Sequence, residues 1–88
     1  MRLKDGFVIR QIADAWVVVP IGSRVIDFNG LISLNETGAF IWNQLEKNAT
    51  REGIISSLCE EYQIDGCTAE KDLGEFLDIL KKKDLIIQ

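Results

Sequence analysis

Cys59, Cys67 and 14 carboxylates are the side chains here whose types could do chemistry, and histidine is absent. A thiol can serve as nucleophile or metal ligand, but either role needs company. Cys59 and Cys67 do not form a C-x-x-C pair, and nothing else supplies metal-ligand spacing. Imidazole, the commonest general base, is missing. The carboxylates are scattered along helix faces without a convergent pair. Cys59 falls on an apolar helix stripe and Cys67 in a turn, which reads as two free thiols in a reducing compartment. The chain therefore reads as non-enzymatic, with no catalytic residue, no metal and no cofactor expected.

What remains is the backbone and the faces that carry it. The stretch Leu31-Ile32-Ser33-Leu34-Asn35-Glu36-Thr37-Gly38-Ala39-Phe40-Ile41-Trp42 organises the rest. Its first four residues read as a short strand. Asn35 suits an N-cap, since its side-chain oxygen can accept an amide of the first turn. Glu36 then places a negative charge at the positive end of the helix dipole. Before this junction the pattern is sheet: Phe7-Val8-Ile9-Arg10-Gln11-Ile12, a turn at 13–15, then Trp16-Val17-Val18-Val19-Pro20-Ile21, rich in β-branched residues. That second strand is apolar on both faces, so it is either central and covered twice or meets a partner. Gly22-Ser23 turns the chain. Residues 24–28 alternate, and Asn29-Gly30 is a hairpin signal, so the sheet has three strands, or four if 24–28 pairs. Ile32 and Leu34 are placed inward.

After the junction the pattern is helical. The first helix is expected over 36–48, with Gly38, Ile41, Trp42 and Leu45 on one face. Gly38 costs that helix roughly 1 kcal/mol against alanine, and could let another backbone come close. Phe40 points away from the stripe. Thr50 caps a second helix over 51–63, with Ile54, Ile55, Leu58, Cys59 and Tyr62 on its buried stripe. Thr68 is expected to cap a third, whose core stripe is Leu73, Phe76, Leu77 and Leu80. Asp72, Ile79 and Lys83 flank that stripe beside Phe76, so its apolar face is widened on one side only. Lys81-Lys82-Lys83 suits the negative end of the helix dipole. Leu85-Ile86-Ile87 reads as a short closing strand.

The 88 residues fit one small α+β domain spanning 1–88, with an N-terminal antiparallel sheet followed by three helices. The net charge of -4 argues against a non-specific nucleic-acid binder. No apolar run is long enough to span a bilayer, and no signal peptide is recognisable, so a cytoplasmic protein with no membrane partner is expected. Sheet followed by a helix-turn-helix-like pair resembles a winged helix, which raises DNA binding as the competing function. Against it, the third helix opens with Glu70, Asp72 and Glu75, where side chains would have to reach base edges. No basic-aromatic stripe appears, and no hairpin wing follows. A third reading is a structural subunit forming a homodimer through strand 16–19.

Leu34-Asn35-Glu36-Thr37-Gly38, followed by Ile41-Trp42, Leu45, Thr50, Phe76-Leu77, Leu80 and Leu85-Ile86, resembles the PqqD family. This is the coenzyme PQQ synthesis protein D group, also called the RiPP recognition element, and the resemblance runs from about Val8 to Ile86. It implies a winged-helix-like adaptor that binds the leader segment of a ribosomally made precursor peptide. It also implies delivery of that peptide to a modifying enzyme, often of the radical SAM class. The leader would add as a strand beside the third strand of the sheet, which here is Leu31, Ile32, Ser33 and Leu34. It would lie against the flank of the third helix, which here is Asp72, Phe76, Ile79 and Lys83. Strand addition satisfies an open edge through backbone bonds, with side-chain pockets giving specificity.

Overall fold

The two apolar stretches near the N-terminus fold onto each other. In the computed structural model, which describes residues 2–21 and 32–87, β1 (Arg2–Leu3) precedes β2 (Phe7–Ile12) and β3 (Ala15–Pro20). β4 (Ile32–Leu34) follows, then the helices α1 (Glu36–Glu46), α2 (Arg51–Tyr62) and α3 (Gly66–Lys82), and finally β5 (Ile86–Ile87). The strand expected over 24–28 and the turns at 22–23 and 29–30 lie outside the described residues.

β2, β3 and β4 form an antiparallel sheet in that order, with β3 in the centre. This places the doubly apolar strand where both of its edges are paired. Val18 stands between Ile9 and Ile32, and Trp16 between Gln11 and Leu34. Residues directly opposite in a ladder share a face, so Phe7, Ile9, Trp16, Val18, Ile32 and Leu34 look toward the helices. All six belong to or pack against the core. Ile12 pairs with Ala15, leaving a tight turn in which Ala13 takes the left-handed conformation, φ 54°.

β1 pairs with β5, Leu3 opposite Ile86, in a separate two-stranded sheet. Residues 2–3 carry no strand signal of their own, and only the returning end of the chain makes them one. That return is built into the end of α3. Asp84 adopts φ 58°, its amide donates to the Lys81 carbonyl and the Leu85 amide to the Leu80 carbonyl. This is the Schellman pattern, which satisfies the last helical carbonyls and turns the chain. The Lys4 amide then donates to the Leu85 carbonyl at 2.9 Å, and Lys4 Nζ lies 2.7 Å from Asp84 Oδ2. α1 ends in the same way, with Asn48 at φ 60° and the Ala49 amide donating to the Gln44 carbonyl.

Each helix begins on a side-chain cap. Asn35 Oδ1 accepts from the Gly38 amide at 2.7 Å, and Thr50 Oγ1 from the Gly53 amide at 3.0 Å. α3 differs from expectation: Asp65, not Thr68, is the cap, and its Oδ1 accepts from the Thr68 amide at 2.7 Å. The helix thus starts earlier, and Cys67 sits in its first turn, exposed, rather than in a loop. The added turn buries Ala69 completely alongside Leu73, Phe76, Leu77 and Leu80. α1 and α2 complete the core with Ile41, Trp42, Leu45, Ile54 and Leu58. Among the described residues no helix is long and apolar enough to cross a membrane.

Candidate functional site: the cleft between β4 and α3

β4 is an edge strand. β3 occupies one side of it, and among the described residues no strand occupies the other. In an antiparallel pair, alternate residues of the outer strand turn their N–H and C=O groups away from the ladder. The outward groups of β4 therefore meet no strand among the described residues. Burial of Ile32 and Leu34 on either side of exposed Ser33 fixes the strand in place, because a one-residue slip would exchange the faces.

Beside this edge lies a cleft of about 230 Å³. β4 and the start of α1 supply Ser33, Leu34, Asn35, Thr37, Gly38 and Ile41, and α3 supplies Asp72, Glu75, Phe76 and Ile79. The walls meet at Gly38. A Cβ there would stand 3.1 Å from Phe76 Cε1 and 3.4 Å from Leu34 Cβ. The glycine thus admits a neighbouring ring, not the second backbone that its place on the stripe suggested. Asn35 has two tasks, capping α1 and lining the cleft mouth. Ile79 is 46% exposed despite its size.

Five of the expected residues come together here: Ser33, Leu34, Asp72, Phe76 and Ile79. Ile32 belongs to the same strand but is turned into the core and does not line the cleft. Lys83, the exposed C-cap of α3, is not among the lining residues either. Leu31 lies outside the described residues. Sequence reasoning passed over Asn35, Thr37, Gly38, Ile41 and Glu75 as lining residues. Glu75 had a usable signal, since 72, 75 and 79 share a helix face by i, i+3, i+7 spacing.

The side of the cleft formed by α1 is braced from behind. Phe40, which points away from the α1 stripe, meets Tyr62 edge-on at a centroid distance of 5.7 Å. Burial pushes the Tyr62 hydroxyl above its usual pKa, helped by Glu36 and Glu61, while a hydrogen bond with the Thr37 side chain opposes the shift. Among the described residues, no group of three or more Cys, Asp or Glu side chains is placed to hold a metal ion.

Residues 15–86 match the family described as coenzyme PQQ synthesis protein D, PqqD. The chain belongs to the PqqD family. A solved structure titled TbiB1 in complex with the TbiA(beta) leader peptide is similar to this PqqD-family chain with a TM-score of 0.76 and 32% identity. The match covers 97% of this chain and 93% of that one. No curated protein sequence matches. The resemblance read from the Leu34–Gly38 junction thus holds, as does the α+β architecture of sheet followed by three helices.

Proposed function

We propose that this PqqD-family chain is a non-catalytic adaptor for a ribosomally synthesised precursor peptide. The leader segment adds as a strand to the open edge of β4 and lays side chains into the cleft against Phe76 and Ile79. The single observation that carries this reading is the placement of a strand edge, unpaired among the described residues, directly beside a half-apolar cleft. Backbone bonds along the edge give affinity, and the cleft gives register. The leader-peptide complex of the similar TbiB1 structure supports the same reading. The peptide is then presented to a modifying enzyme, which we place in the radical SAM class.

Calorimetric titration with a synthetic leader peptide, beginning with the TbiA(beta) leader bound in the similar structure, tests the binding step. Ile79→Ser should weaken binding about fivefold or more, as removal of a central apolar contact does. Equal affinity for the two proteins would remove the cleft from the account. Co-purification of radical SAM enzymes from the native host with this chain tests delivery, and a leader-dependent ternary complex is expected.

A further inference from the structure

We infer that the guest preferred by this cleft is an extended segment carrying a lysine or arginine beside the apolar side chain that fills it. The inference rests on the strand-docking reading and adds the charge of the guest. Asp72 and Glu75 line the cleft about one helical turn apart on α3, and among the described residues no lysine or arginine lines it with them. The ion pairs among the described side chains are Lys4 with Asp84 and Arg51 with Glu70, so neither cleft carboxylate is neutralised by a salt bridge among the described residues. Lys71 lies four positions before Glu75 on the same helix and makes no such pair with it.

One feature of the cleft pulls the other way. The start of α1 opens into it through Asn35, Thr37 and Gly38, and a helix N-terminus attracts anions. That attraction is already blunted here. Asn35 Oδ1 occupies the Gly38 amide, and Glu36 stands in the first turn. A helix end is worth about half an elementary charge, which one carboxylate offsets. Two acidic groups on α3 then decide the sign, within a chain of net charge -4.

The apolar lining strengthens the match. Lysine and arginine lay a long hydrocarbon stem on apolar surface while the charged head stays in water. Ile79 and Phe76 offer that surface within a turn of Glu75 and Asp72. A neutral polar guest would waste the carboxylates, and an acidic one would be repelled by both. Exposed pairs of this kind are modest, so the preference for a basic over a neutral residue should be about three- to tenfold.

The test selects ligands for the whole chain from a displayed library of short random peptides at low salt. Binders are sorted by whether Ile79→Ser weakens them, which marks them as cleft ligands. We expect the sorted set to be enriched in lysine or arginine beside an apolar residue. A representative peptide should lose about three- to tenfold in affinity toward an Asp72→Asn/Glu75→Gln protein, and a similar factor at high salt, where exposed charges are screened. Circular dichroism of the double variant and of each single change verifies that the fold is kept. Cleft ligands without basic enrichment, or with equal affinity for the double variant, would overturn the charge preference and leave strand docking standing. A selection that yields no ligand sensitive to Ile79→Ser would overturn both.

Discussion

Among the described residues a second cleft, beside β1, is larger than the one we assign. The cleft bordered by Arg2, Lys4, Asp5, Glu46 and Asn48 measures about 410 Å³, against about 230 Å³ beside β4. The larger one surrounds β1, whose two residues are tied to β5 and to the turn after α3 by the Lys4–Leu85 hydrogen bond and the Lys4–Asp84 ion pair. Its neighbourhood closes the fold. The smaller one joins a strand edge that no described strand covers to the exposed flank of an amphipathic helix. Both regions use strands of two or three residues, so strand length does not separate them. Apolar residue types do not separate them either, since Leu3, Phe7, Leu45 and Ile87 line the cleft at β1 as Leu34, Ile41, Phe76 and Ile79 line the one beside β4. What separates them is the surface they show, mostly polar around β1 and about half apolar beside β4.

This contrast can be broken at several points. The largest expected effect is on stability at the cleft floor. Leu34 is only 7% exposed and packs in the main core, so Leu34→Ala should cost ~2–5 kcal/mol in chemical denaturation. Next is Asn35→Ala, which removes the α1 cap and should cost about 1 kcal/mol. The same substitution should also weaken leader binding, since Asn35 reaches the cleft mouth. Smaller again is Lys4→Met on the closed side. A partly exposed ion pair is worth about 0–1 kcal/mol, and leader affinity measured by calorimetry should be unchanged. A loss of leader affinity there would erase the distinction between the two regions.

The last prediction concerns pH. The Thr68 backbone amide, and then its hydroxyl, hold the Asp65 carboxyl below its usual pKa. A depressed folded-state value means that this contribution is present above the unfolded carboxylate pKa and is lost as pH falls through the folded one. Asp65→Asn keeps a capping oxygen but cannot titrate. Its acid unfolding curve should therefore be shallower than that of the parent, and identical curves would count against the cap as the source.

The parts legible in the sequence are those in which one residue performs a local task. Asn35 and Thr50 cap helices as their positions predict, because a cap needs only a short oxygen-bearing side chain three residues ahead of a free amide. Asp65 and Thr68 both met that description, and Gly66 read as a turn, so the helix start was placed late. What decided between them is tertiary: starting at Gly66 carries Ala69 into the core. The β1·β5 pair was half hidden for the same kind of reason. Residues 86–87 showed strand character, but their partner lies at the other end of the chain and is two residues long. In the site, the i, i+4, i+7 spacing on α3 leads to Asp72, Phe76 and Ile79, while Glu75 on the same side is read only as an acidic residue of the helix and Lys83, the C-cap, is not among the lining residues.

Amide hydrogen exchange of Ile32, Ser33 and Leu34, followed by NMR with and without a leader peptide, tests the central claim most directly. If the leader adds as a strand, an outward amide of β4 should exchange fast in the free protein and become protected on binding, while the Ile79 and Phe76 resonances shift. Protection that is unchanged in β4, with resonance shifts confined to residues around β1, would contradict strand addition at this edge.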